Sequence, residues 1–192
     1  MFSLPPVTQA LIVANVVAFL AELSLGDAIV APFALWPLGT PQFMPWQVIS
    51  YAFLHSGWTH LLFNMLGLYM FGADVERVWG GRRILVYYLT CALSAAVAQL
   101  VTSSVTGAFY PTIGASGAVF GLLLAFAILF PYRVVMPLFP PIPMRAPVFA
   151  GVYGALELLL GVTGTQEGVA HFAHLGGMAG GYLVIRYWKR WR

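Results

Sequence analysis

Six apolar blocks, Val7–Leu25, Thr59–Ala73, Ile84–Val101, Ala115–Phe130, Val148–Val162 and Val169–Trp188, take up most of this chain. Each approaches the roughly 20 residues that a helix needs to cross a hydrocarbon core. Only 8% of the residues are charged and 60% are hydrophobic, whereas a soluble domain carries about 25% charged residues because most of its surface must meet water. The composition excludes an ordinary soluble fold and makes the bilayer the solvent. The expected fold class is an all-α polytopic membrane protein with six transmembrane helices. No repeat and no long polar linker divides the chain, so residues 1–192 read as one domain. No cleavable signal peptide is expected, because Met1–Val7 has no basic residue and the first block reads as a retained anchor.

The nine basic residues fall in three places. Arg77, Arg82 and Arg83 lie between spans 2 and 3, Arg133 and Arg145 between spans 4 and 5, and Arg186, Lys189, Arg190 and Arg192 after span 6. With six spans, all of these sites share one side, and the positive-inside rule puts both termini in the cytoplasm. The basic residues form no patch interleaved with aromatics, so no nucleic-acid partner is expected. The single cysteine, Cys91, leaves neither an internal disulfide nor a thiolate metal cluster.

Two connections stand out. The segment from Gly26 to Gly57 is rich in proline and aromatics (Pro32, Phe33, Trp36, Pro37, Pro41, Phe43, Pro45, Trp46) and nearly uncharged, as suits a loop resting in the membrane interface. Ser103–Gly114 holds Ser, Thr, Gly and Pro without charge ahead of a short span 4. It reads as irregular backbone at membrane depth, which is tolerated only where it is buried in protein or lines a wet cavity.

Polar side chains inside a span are costly and default to functional candidates. Spans 2, 4 and 6 run in the same direction, and their N-terminal ends carry His60 and Asn64, Ser116, and His171 and His174. His60 and Asn64 share a helix face at i, i+4. His174, Gly177 and Gly181 share another, and with Gly117 and Gly121 on span 4 they predict a backbone-to-backbone approach of spans 4 and 6. That approach would bring the His174 imidazole within reach of Ser116. Ser116 opens a helix in Gly114-Ala115-Ser116-Gly117, where unpaired backbone N–H groups and the positive end of the dipole suit an oxyanion. A neutral imidazole is the usual base for a serine hydroxyl. No acidic third member is expected: Asp27 and Asp74 lie in the outer loop and at the inner end of span 2, and Glu157 lies in span 5 without a matching position. A Ser–His dyad is therefore expected. His171 reads as a neighbour near the water interface and His55 as part of the loop entering span 2. With no carboxylate at their level, the four histidines are not expected to form a metal or haem site.

Taken together, His60-x-x-x-Asn64 on span 2, Gly114-Ala115-Ser116-Gly117 opening span 4, and Ala173-His174-x-x-Gly177-x-x-x-Gly181 on span 6 resemble the rhomboid family of intramembrane serine proteases. The resemblance runs from Trp46 to the end of span 6, and the six-span layout resembles the minimal bacterial form. It implies Ser116 as nucleophile, His174 as general base and then acid, and an oxyanion hole made by His60, Asn64 and the Ser116 backbone N–H. It also implies a structural role for Glu76. Two positions depart from the family pattern: Gln47 follows Trp46 where many members have arginine, and Phe120 stands where many have tyrosine. Phe120 keeps an aromatic surface for the His174 ring.

The expected activity is hydrolysis of a peptide bond in or beside the transmembrane segment of another membrane protein, through an acyl-enzyme and without a cofactor. The partners would be such segments and the lipid bilayer, and the location a bacterial inner membrane. The alternative is a catalytically silent rhomboid-like protein that binds transmembrane clients. A transporter is disfavoured by the lack of inverted repeats and paired broken helices, with Glu157 as its best supporting feature.

Overall fold

The computed structural model describes residues 3–138, 140–164 and 170–190, the side chain of Arg190 excepted; Val169, assigned above to span 6, and the terminal Arg192 lie outside the described residues. The first helix, α1 (Pro6–Leu25), begins with proline at a position where its missing N–H costs nothing. A short α2 (Asp27–Phe33) and a single-turn α3 (Gln47–Ser50), continued by a 3₁₀ turn over Tyr51–Phe53, organise the next connection. Then α4 (Trp58–Gly67), one π-helical turn (Leu68–Gly72) and α5 (Ala73–Trp79) follow without a break. Beyond Gly80 come α6 (Gly81–Thr106), α7 (Ser116–Leu129), a two-residue hairpin of β1 (Val134–Val135) and β2 (Met144–Arg145), α8 (Ala146–Thr163) and α9 (His171–Arg190).

Among the described residues, α1, α6 and α8 are long and apolar enough to cross a membrane, and α7 is a shorter apolar helix. Many of their outward residues are bare hydrocarbon, including Val13, Val17 and Leu20 on α1 and Leu156, Leu159 and Val162 on α8. Exposed apolar surface on this scale is stable against lipid and a liability in water. The helical stretches match the apolar blocks to within a few residues, except that the second continues to Trp79. Ser103–Thr106, read from sequence as irregular, complete the last turn of α6, because the break comes only at Gly107 with φ +71°. The irregular backbone is therefore confined to residues 107–115.

The core is built on α6, α7 and α9. Tyr87, Tyr88, Cys91, Ala92, Ala95 and Ala96 bury one face of α6, and the Tyr87 hydroxyl donates to the Gly121 carbonyl at 2.8 Å. The glycine face of α9 meets both neighbours. A methyl group on Gly177 would collide with the Gly117 carbonyl, and one on Gly181 would meet the Tyr87 ring. These close backbones supply the dispersion and polar contacts that hold helices together in lipid, where apolar burial between helices gains little.

Two buried carboxylates tie the periphery to this core. Glu76 of α5 accepts the Val7 N–H at 2.9 Å, the Thr8 N–H at 2.7 Å and the Thr8 hydroxyl at 2.7 Å. It caps the N-terminus of α1 from another helix, satisfying donors left open by helix geometry and facing the positive end of the dipole. Glu22 of α1 accepts the His55 backbone N–H at 3.0 Å. At the opposite end of α1, Asp74 meets Arg77 at 2.8 Å and Arg133 at 3.5 Å, and Arg83 lies over the Trp188 ring at 5.9 Å. The arginine-bearing connections and the end of α9 thus gather at one end of the bundle.

Two outcomes follow. Glu76→Ala leaves three donors without their acceptor and should lower stability by about 3 kcal/mol, seen as a drop in Tm in detergent that Glu76→Asp only partly repeats. His55, outside the helical spans and only 2% exposed, is pushed down to about 4 by burial and then by the neighbouring His60 ring. Because its folded value lies below the unfolded one, the unfolded chain binds the proton first, and His55 costs stability as pH falls from about 6.5 towards 4. Tm measured across that range should fall less steeply in His55→Gln than in the unaltered protein.

Candidate active site

The irregular segment before α7 is held by the 26–57 connection. Leu35 and Thr112 exchange backbone hydrogen bonds at 2.9 Å in both directions, and the Gly114 N–H donates to the Tyr51 carbonyl at 2.9 Å. Gly114 has φ +127°, a region that favours glycine, and a Cβ there would sit 2.7 Å from His60 Nε2 and 3.6 Å from Ser116 Oγ. Its backbone therefore fills the space between two predicted site residues. Ser116 follows as the first residue of α7.

Ser116 Oγ lies 2.7 Å from His174 Nε2. The contact follows from the packing: Gly117 comes directly after Ser116 and approaches the Ala173 carbonyl, so the first turns of α7 and α9 meet without side chains between them. The His174 ring stacks on Phe120 with centroids 4.6 Å apart and planes within 7°. Gly181 lies deeper, against Tyr87 and Cys91, and serves helix packing rather than the polar site.

His60 accepts the Ser56 N–H at Nδ1 at 3.3 Å, and the Ser56 hydroxyl lies 3.1 Å from the same nitrogen. An acceptor at Nδ1 puts the proton of a neutral ring on Nε2, the nitrogen that faces Gly114. Asn64 donates to the His60 carbonyl at 3.0 Å and retains a second N–H. These groups line one cavity of about 1020 Å³ together with Ser116, His174, Phe120 and Glu157.

Glu157 corrects the sequence reading. Its Oε2 lies 2.8 Å from His174 Nδ1 and 2.7 Å from His171 Nδ1, so a carboxylate does accompany the histidines at their depth. Helices α8 and α9 are consecutive, and Glu157 sits two turns before the end of α8 while His171 and His174 occupy the first turn of α9. Counting back from the connection would have placed all three at similar depth. His171, read as an interface neighbour, is 5% exposed, and its Nε2 has no partner among the described residues. The ligating atoms of Glu157, His171 and His174 lie within 4.8 Å of one another and form the one candidate metal-holding cluster among the described residues; the hydrogen bonds already account for the arrangement.

Gln47 was read only as a departure from pattern, and the structure gives it a role. Fully buried, it accepts the Trp36 N–H at 3.2 Å and the Met44 N–H at 3.1 Å, and donates to the Pro32 carbonyl at 3.2 Å and the Gln42 carbonyl at 2.9 Å. A neutral amide thus uses its full donor and acceptor capacity to shape the 26–57 connection.

Residues 42–190 match the rhomboid domain family. The chain is 31% identical over 139 residues to rhomboid protease GluP of Bacillus subtilis (strain 168), covering 72% of this chain and 25% of that protein. It is 29% identical over 141 residues to the putative rhomboid protease YdcA of the same organism, covering 72% of this chain and 65% of that protein. The chain therefore spans a quarter of the first relative's length and just under two thirds of the second's. With a family match over most of its length, and with helices suited to lipid, this integral membrane chain belongs to the rhomboid family.

Proposed function

We propose that this chain is an intramembrane serine endopeptidase in which Ser116 is the nucleophile and His174 the base. The observation that carries this reading is the 2.7 Å contact between Ser116 Oγ and His174 Nε2 at the start of a helix, beside a mostly apolar cavity that His60, Asn64 and Glu157 also line. In this reading residues 1–192 act as one six-span domain: α1, the α4–α5 run, α6, α7, α8 and α9. Both termini face the cytoplasm of a bacterial inner membrane, and the gathering of arginine-bearing connections at one end supports that orientation. The site then opens near the outer face, where water reaches it through the cavity.

The chemistry follows from the geometry. Ser116 Oγ bonds to the scissile carbonyl carbon while its proton passes to His174 Nε2, and the carbonyl oxygen becomes an oxyanion. The His60 Nε2–H, the free Asn64 Nδ2–H and the Ser116 backbone N–H are the donors for it. The protonated ring then gives its proton to the leaving amide nitrogen, and the C–N bond breaks to leave the acyl-enzyme. Water attacks the acyl carbon while its proton goes to Nε2, and the ring then passes that proton to Ser116 Oγ as the ester C–O bond breaks, releasing the carboxylic acid product and the free serine. Gly114 presents no side chain beside His60 and Ser116, where substrate backbone must approach, and Phe120 holds the ring plane. Because a helix sequesters its carbonyls, the substrate segment must unwind, so helix-weakening residues near the cut favour cleavage.

Ser116→Ala and His174→Ala should each abolish cleavage of a reporter transmembrane substrate reconstituted in liposomes, with Tm unchanged to within a few degrees. A fluorophosphonate should label Ser116 in the unaltered protein and nothing in Ser116→Ala. A protein that captures transmembrane segments yet takes no label and cuts none of them would be the silent binding relative instead.

A further inference from the structure

We infer that Glu157 is a positioning carboxylate for His174, so that the nucleophile is served by three linked side chains, Ser116, His174 and Glu157, rather than by a dyad. This inference rests on the serine-protease reading and deepens it.

The argument starts from the tautomer. In the resting state Ser116 keeps its proton, so His174 Nε2 must carry a lone pair to accept it, and the proton of the neutral ring must sit on Nδ1. An Nδ1–H buried in a membrane protein needs an acceptor. Glu157 Oε2 is that acceptor at 2.8 Å, with only 14% of the Glu157 side chain and 10% of the His174 side chain exposed. An ionised carboxylate has no proton to donate and can therefore stabilise only the tautomer that leaves Nε2 free for Ser116. Phe120, parallel to the ring at 4.6 Å, fixes its plane; Glu157 fixes its rotation within that plane. The two contacts together leave His174 one orientation.

His171 extends the arrangement. Its Nδ1 lies 2.7 Å from the same oxygen, so two neutral Nδ1–H tautomers donate to one carboxylate and hold it in the ionised, accepting form. Among the described residues, His60 on α4, whose Nδ1 is engaged by Ser56, and Tyr110 and Tyr153 line the same cavity as His174. From α7, Ser116 bonds the ring and Phe120 stacks on it. When Ser116 attacks, the proton moves from Oγ to Nε2, the ring becomes an imidazolium, and its positive charge lies against Glu157. The carboxylate stays unprotonated throughout: it neither takes nor gives a proton, and the proton on Nε2 goes on to the leaving nitrogen.

The test is steady-state cleavage of a reporter transmembrane substrate in liposomes by Glu157→Gln and Glu157→Ala, beside Ser116→Ala, together with ¹⁵N NMR of the His174 ring. Substrate does not touch Glu157 in this scheme. Both variants should therefore lose kcat by about 10²- to 10⁴-fold with KM within about threefold, since the lost interaction orients and then stabilises the base without touching substrate. The His174 spectrum should show a protonated Nδ1 and an unprotonated Nε2 in the unaltered enzyme, and a mixture of tautomers in Glu157→Ala. Wild-type kcat in both Glu157 variants, with Ser116→Ala inactive, would overturn the positioning role and leave the protease reading standing. Retained cleavage by Ser116→Ala would overturn the protease reading itself. If the Glu157 variants fail to fold, the unaltered enzyme decides: a proton on Nε2 with Nδ1 bare would end the proposal.

Discussion

The contact between the backbones of α7 and α9 is the condition on which the rest of the site depends. Gly177 faces the Gly117 carbonyl, and Gly121 faces that of Gly177, with no room for a side chain at any of the three. Ser116 precedes Gly117 by one residue and His174 precedes Gly177 by three, so both inherit their positions from this contact. A hydrogen bond of 2.7 Å does not survive a separation of about 1 Å more, and a single methyl group at this crossing moves a helix by that much. Within lipid such an approach is favourable in its own right, because close backbones gain dispersion that bulky side chains forbid. One arrangement therefore stabilises the bundle and brings the alcohol to the imidazole.

The other half of the site depends on backbone that is not helical. Residues 107–115 reach the start of α7 through hydrogen bonds to Leu35 and Tyr51, both from the 26–57 connection. That connection is in turn shaped by Gln47, whose four hydrogen bonds join Pro32, Trp36, Gln42 and Met44. An uncharged amide does this without the desolvation cost of a guanidinium at the same buried position. The chain of dependence runs from Gln47 through Leu35 and Tyr51 to Gly114, and from Gly114 to the spacing of His60 and Ser116.

Much of this was legible from residue types and spacing. Glycine every three or four residues on the face of His174 announced the crossing with α7, and the resulting contact with Ser116 followed. The helices themselves were legible as long apolar runs, but not all their limits: the second block stops at Ala73 and the third at Val101, whereas the structure carries these helices on to Trp79 and Thr106, just before Gly80 and Gly107. The π-helical turn at Leu68–Gly72 was not, since Leu-Tyr-Met-Phe-Gly has no feature that distinguishes it from an ordinary turn. The hairpin at Val134 and Arg145 was also missed, because two-residue strands have too little periodicity to read. Glu157 was missed for a different reason. Its helix carries small residues, and Gly154 and Gly161 do face α9, but the pairing with His171 and His174 depends on depth relative to the connection rather than on any local pattern.

That depth relation bears on how the site is held together. Among the described residues of α8, those fully buried are Ala146, Phe149 and Ala150, all in its first two turns. Towards its other end the helix presents Gly154 to Met178 and Gly161 to Phe172 and His171, contacts that small residues and a thioether make without interlocking. Glu157 supplies a polar tie in this half, with both histidines within hydrogen-bond distance of its carboxylate. If α8 tilts away from α9 by more than hydrogen-bond reach, the carboxylate leaves His174 and the ring is free to turn or to move its proton to Nε2, where it no longer accepts from Ser116. On the proposed reading, the position of α8 and the readiness of His174 to act as base are therefore one variable, because the carboxylate that holds the ring also ties α8 to α9.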